Sequence, residues 1–136
     1  MATVAPQLIG ESALFHALLD RVSDIAALDR PLLVLGERGT GKELIASRVH
    51  FLSPRWEQKY IRVDCAAFSD EALEIELFGD GHSSGRVMSA DEGTLFLDNI
   101  DACPDWMQGK LTRLIEHGEL EAPESYVTEN VNVRII

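Results

Sequence analysis

At 136 residues, 46% of them hydrophobic, the chain has the size of one domain with its own core. No apolar run approaches the length of a spanning helix, and no basic segment leads into an apolar one at the N-terminus. Both points argue against a membrane span or a signal peptide, and a cytoplasmic location is expected. A formal charge of −11, from 23 acidic and 12 basic residues, repels a phosphate backbone, so direct nucleic-acid binding is not expected.

In chain order, a turn at Ile9 and Gly10 precedes a helix capped by Ser12, whose apolar positions Leu14, Phe15, Leu18, Leu19, Val22 and Ile25 recur at three and four residues. Leu32 to Leu35 is a continuous apolar run, as expected of a strand buried on both faces, and it ends in glycine. A helix is predicted from Lys42 to about Leu52, a strand over Tyr60 to Val63, and a short helix from about Asp70 to Phe78. Gly79 to Gly85 is a loop by turn chemistry. Thr94 to Leu97 reads as a strand ending at Asp98. A helix begins near Pro104, buries Met107, Leu111, Leu114 and Ile115, and stops at Gly118. After a turn around Pro123, Val131 to Ile136 reads as a fourth strand.

This alternation predicts an α/β fold, a parallel sheet with crossover helices. The acidic residues Asp70, Glu71, Glu74 and Glu76 read as a solvated helix face. Cys65 and Cys103 lie too far apart for a metal motif and read as reduced, buried thiols.

The segment carrying chemistry is Gly36-Glu37-Arg38-Gly39-Thr40-Gly41-Lys42-Glu43, which follows one predicted strand and opens a helix. Holding a triphosphate requires backbone N–H groups to converge on one point, and that requires residues that tolerate unusual dihedrals and leave no side chain in the way. Gly36, Gly39 and Gly41 meet the requirement, the helix N-terminus adds its positive end, and Lys42 adds a mobile cation. Glu43 departs from the general pattern, which places a hydroxyl there for magnesium.

GERGTGKELIASRVH (Gly36 to His50), VDCAAF (Val63 to Phe68), ELFG (Glu76 to Gly79), GTLFLDNI (Gly93 to Ile100), KLTRLIEHGELE (Lys110 to Glu121) and VNVRII (Val131 to Ile136) together resemble the bacterial sigma-54-dependent transcriptional activators, closest in type to the phage-shock-protein activators. The resemblance implies a three-layer αβα sandwich with a mainly parallel sheet, of the P-loop NTPase (AAA+) type. It also implies ATP and Mg2+ as cofactors, with other AAA+ subunits and sigma-54 RNA polymerase as partners through a longer parent protein. On the same ground Gly36 to Glu43 form Walker A, Asp98 is the Walker B aspartate that holds magnesium, and Ile9 with Gly10 lie near the adenine. A plain turn cap is the competing reading of Asp98.

Three departures qualify what the resemblance implies. The position next to Asp98, a catalytic glutamate in the family, is Asn99, and an amide cannot take a proton from water as a carboxylate does. The family's asparagine that restrains this glutamate is here Asp64, so the two residues either hydrogen-bond in reversed roles or Asp64 takes over as the base. The loop bearing GAFTGA, which touches sigma-54 in the family, has no counterpart between Gly79 and Gly85, and His82 reads there as an exposed loop histidine. Residues 1–136 are accordingly expected to form one truncated AAA+ domain without a lid, its arginine fingers or sensor asparagine. The function expected is an ATP-binding module of a transcription regulator with weak or absent hydrolysis. The alternative is a non-catalytic module that docks on an intact AAA+ hexamer and modulates it. A small-molecule kinase has the same P-loop but no acceptor-binding residues in this sequence.

Overall fold

A computed structural model of the chain describes residues 13–37, 39–121 and 128–136. The predicted turn at Ile9 and Gly10, the Ser12 cap, Arg38 and the turn around Pro123 lie outside these.

The sheet is built on the half-buried Tyr60–Asp64 (β1) and the buried Thr94–Asp98 (β2), paired in parallel from Tyr60 opposite Thr94 to Asp64 opposite Asp98. A short strand, Arg134–Ile135 (β5), pairs in parallel with the other edge of β2, so the order is β1-β2-β5. Five helices accompany them among the described residues: Ala13–Ala26 (α1), Lys42–Phe51 (α2), Asp70–Phe78 (α3), Arg86–Ser89 (α4) and Asp105–His117 (α5). A separate antiparallel pair, Glu119–Glu121 (β3) with Thr128–Asn130 (β4), follows α5.

Because successive strand residues point to opposite faces, β2 feeds two cores. Leu95 and Leu97 pack with Leu73, Leu77, Met107 and Leu111 of α3 and α5. Phe96 faces the other way, toward Val22 and Ala26 of α1 and Ala46 and Val49 of α2. The sheet thus lies between two helical layers, as an αβα sandwich requires.

Local chemistry explains most boundaries. The Ser69 hydroxyl accepts the Ala72 N–H at 3.3 Å to cap α3, and Asp70 and Glu71 suit its positive end. Gly118, at φ 64°, ends α5 in the left-handed conformation glycine favours. The loop after α3 is pinched shut. A side chain on Gly79 would strike the Ser83 carbonyl and one on Gly85 the Leu77 carbonyl, while Asp80 Oδ1 accepts the N–H groups of His82 and Ser83.

Several expectations are corrected. Leu32 to Leu35 is extended but forms no ladder. Its described backbone tie to the sheet is the Leu32 N–H to the Ile135 carbonyl at 3.0 Å. Leu33 and Leu35 are 64% and 82% exposed instead of buried. Leu14 and Leu18 are also exposed, since the buried positions of α1, Val22 and Ala26, lie in its C-terminal half. Ile115 is exposed on α5, and the fourth strand shrinks to β5. Helix α4 and the β3–β4 pair were not foreseen. The acidic face of α3 is partly paired, with Glu74 on Lys110 at 2.7 Å and Glu76 on Arg86 at 2.8 Å. Cys65 and Cys103 are buried free thiols, and burial pushes the Cys65 thiol up to about 12.

Two buried polar residues tie the layers together. Arg134, 3% exposed, donates from Nη1 to the Ala26 carbonyl and from Nη2 to the Ile25 carbonyl at the end of α1, and from Nε to the Arg30 carbonyl in the segment that follows. His50 of α2, 1% exposed, joins the Thr94 hydroxyl through Nδ1 at 2.8 Å and the Gln58 carbonyl through Nε2 at 3.1 Å. A carbonyl only accepts, so Nε2 carries the proton and Nδ1 accepts from Thr94.

Burial is the main reason the His50 ring holds its proton less tightly than the usual 6.5. A group with a depressed folded pKa of this kind favours the unfolded state once it is protonated. Its contribution is complete above pH 6.5 and is lost as pH falls from there toward the folded value. We expect the midpoint of thermal unfolding to drop below pH 6.5. His50→Leu should flatten that slope while costing about 2 kcal/mol at pH 7.5, because it leaves Thr94 and Gln58 unpaired. A slope unchanged in the variant would contradict this assignment.

Candidate functional site

Parallel register brings Asp64 and Asp98 side by side at the carboxyl ends of β1 and β2. The chain from Leu32 to Glu37 arrives at the same end of the sheet, the edge where open α/β sheets bind ligands.

Between that segment and α2 the backbone is shaped by glycine. Gly39 and Gly41 have φ values of 80° and 88°, and nothing lies within 4 Å of where a side chain on either would project. Gly41 precedes α2 with no side chain capping the first turn, so the early N–H groups of α2 keep their donors for something outside the helix. Thr40 braces the turn, its hydroxyl donating to the Glu37 carbonyl at 2.6 Å. Lys42 Nζ donates to the Gly36 carbonyl at 2.8 Å, folding the ammonium over the same turn. A helix N-terminus without a side-chain cap, entered through two left-handed glycines and with one lysine beside it, suits an anion of several negative charges.

The carboxylates beside it are engaged. Asn99, in the left-handed region at φ 54°, donates from Nδ2 to Asp64 Oδ1 at 2.9 Å, and the same oxygen accepts the Ala66 N–H at 3.0 Å. Of the two arrangements that the sequence leaves open for Asp64 and Asn99, the structure shows the hydrogen-bonded pair with reversed roles. Asp98 Oδ2 accepts Arg62 Nη2 at 2.7 Å, and Arg62 Nε stands 3.5 Å from Glu43 Oε1. The hydrogen bond to Asp98 is the main reason the Arg62 guanidinium holds its proton even more tightly than usual.

Gly36, Glu37, Gly39, Thr40, Gly41, Lys42 and Glu43 therefore lie in one turn, with Asp64, Asp98 and Asn99 at the adjoining strand ends. Ile9, Gly10 and Arg38 fall outside the described residues. Arg62 was missed by sequence reasoning, because a lone arginine in a strand carries no motif and its contact to Asp98 spans 36 positions.

Gly36, Lys42, Asp98 and Asn99 line one end of a cleft of about 800 Å3, with Leu33 and Ile115 among the apolar residues farther along. Among the described residues, no group of three or more His, Cys, Asp or Glu side chains is arranged to hold a metal ion. That donor set fits magnesium all the same. This ion keeps much of its water and takes one or two carboxylates plus substrate phosphates, and Asp98 beside the glycine turn offers that combination. His82 is exposed in its loop, far from this chemistry in sequence. No helix among the described residues is long and apolar enough to cross a membrane.

The profile of the Sigma-54 interaction domain family matches residues 8–136. The Psp operon transcriptional activator of Escherichia coli (strain K12) is 46% identical over 145 residues, an alignment covering 100% of this chain and 45% of that protein. The Nif-specific regulatory protein of Azotobacter vinelandii is 40% identical over 137 residues, covering 94% of this chain and 26% of that one. The crystal structure of NtrX from Brucella abortus in complex with ATP superposes with a TM-score of 0.91 at 31% identity, over 96% of this chain and 29% of NtrX. The P-loop NTPase domain of an E. coli sigma-54 activator, 18% identical with a TM-score of 0.64, shares the fold. The chain thus spans less than half the length of the curated relatives it matches.

The Asn99–Asp64 pair makes a direct prediction. Asn99→Glu sets one carboxylate against another at about 3 Å, where like charges repel by a few kcal/mol at an effective dielectric near 20. We expect it to destabilise the chain by about 1–3 kcal/mol in urea unfolding. Adding Asp64→Asn should recover most of the loss, giving a coupling above about 1 kcal/mol in the double-mutant cycle. Additive effects would mean that the two side chains do not meet.

Proposed function

We propose that this chain, which belongs to the Sigma-54 interaction domain family, is the nucleotide-binding part of a bacterial transcription regulator, one that holds ATP with Mg2+ but hydrolyses it slowly or not at all. The observation that carries the reading is the start of α2, which has no side-chain cap and is entered through the left-handed Gly39 and Gly41, with the Lys42 ammonium folded beside it on the Gly36 carbonyl. ATP or ADP would sit there, its phosphates on the turn and near Lys42. Asp98 would hold the magnesium ion, which when bound offsets charge on the phosphates.

Slow turnover follows from Asn99. An amide at that position accepts no proton, and general-base catalysis contributes about 10²- to 10⁴-fold. Asp64 is a poor replacement, since the oxygen facing Asn99 already accepts two donors. Sigma-54 is a further proposed partner, through a longer protein. Contact like that made by a projecting loop is not supported here, because Asp80 and the glycines on either side hold residues 79–85 tight against α3.

Equilibrium binding of a fluorescent ATP analogue tests the proposal. Saturable binding should weaken about 10- to 100-fold in Lys42→Ala, the range of a lost charge-assisted hydrogen bond. Phosphate release should stay near background. No saturable binding in the parent chain would instead favour a module whose loop is a relic and which acts by docking on another AAA+ assembly. Turnover typical of an ordinary ATPase would refute the Asn99 argument.

A further inference from the structure

Asp98, the carboxylate assigned to the cation, already has a cation on it. Its side chain is 17% exposed, and Oδ2 is 2.7 Å from Arg62 Nη2. Arg62 belongs to the neighbouring strand and lies on the sheet face that looks toward α2, as its approach to Glu43 in the first turn of that helix shows. Glu43 has a 58% exposed side chain and stands 3.5 Å from Arg62 Nε, so a second acceptor is within reach should the guanidinium leave Asp98.

From this placement we propose that Arg62 is a latch on Asp98: it competes with the divalent ion for the same carboxylate oxygen and so sets how much Mg2+ the nucleotide site requires. The inference rests on the nucleotide-binding reading above and extends it to regulation of the same site. Asp98 would hold a divalent ion less readily while Nη2 sits on it, because the two cations repel each other at one carboxylate. With the ion bound, Arg62 pairs with Glu43, which follows Lys42 where other P-loops carry a magnesium-binding hydroxyl. Nucleotide binding without metal is left unopposed, since Arg62 already neutralises Asp98. Arg62 is a positioning residue in this scheme, acting on the cation through Asp98.

The test compares the parent chain with Arg62→Ala, measuring binding of the fluorescent ATP analogue in EDTA and across a Mg2+ titration. The variant should reach half-saturation at about two- to five-fold lower Mg2+, which is the value of a partly exposed ion pair, while its affinity in EDTA should fall, because Asp98 is then left unneutralised beside the phosphates. The difference should persist in about 0.5 M salt, where attraction beyond a few ångströms is screened. An unchanged or raised Mg2+ requirement, or a difference that vanishes in salt, overturns the latch. Mn2+ binding to the nucleotide-free chain, followed by water proton relaxation, reads the same competition independently. If nucleotide fails to bind but Arg62→Ala still gains Mn2+ affinity, the latch stands and the nucleotide reading falls. Equal Mn2+ affinity in the two chains sinks the latch by itself.

Discussion

The first turn of α2 begins behind Gly41 with no side chain over its N–H groups, and the rest of the site takes its meaning from that vacancy of partners. A helix end has several donors that its own backbone cannot satisfy, and most helices cover them with a serine, threonine or aspartate. Here glycine stands at that position, in a left-handed conformation that most other residues would adopt only with strain. Leaving those donors open has a cost, and a bound anion is the arrangement that recovers it.

Around that turn the remaining charges are arranged in pairs. Lys42 rests on the Gly36 carbonyl, Arg62 on Asp98, and Asn99 on Asp64. Each contact lies where a ligand, an ion or a water would otherwise compete for the same atoms. The Asn99–Asp64 pair joins the carboxyl ends of β1 and β2 through an amide and a carboxylate. The amide donates and the carboxylate accepts, so Asn99 offers no proton acceptor through its Nδ2 and Asp64 Oδ1 is already engaged. The loop after α3 is likewise held by short-range contacts, with Asp80 accepting two backbone N–H groups and glycines where a side chain would clash.

Much of this was legible in the sequence because it is local. The glycine turn with Lys42, the span of α3, the end of β2 at Asp98 and the stop of α5 at Gly118 follow from spacing and turn chemistry within a few residues. What escaped was nonlocal. The Arg62–Asp98 contact depends on the in-register pairing of β1 with β2, and the capping of α1 by Arg134 joins residues more than a hundred positions apart. The apolar run Leu32 to Leu35 reads as a buried strand by composition, but composition does not supply the ladder partner or the cover that burial needs, and Leu33 and Leu35 stay exposed. Leu14 and Leu18 fit the helical period of α1, yet periodicity shows which face is apolar and not whether anything covers it.

The most direct measurement is an amide proton–nitrogen NMR titration of the isotopically labelled chain with ATP and Mg2+. The account predicts saturable shifts concentrated at Gly39, Thr40, Gly41 and Lys42, with smaller ones at the ends of β1 and β2. Resonances of the glycine turn that stay fixed while nucleotide reaches millimolar concentration, or shifts spread over the surface without saturation, would contradict it.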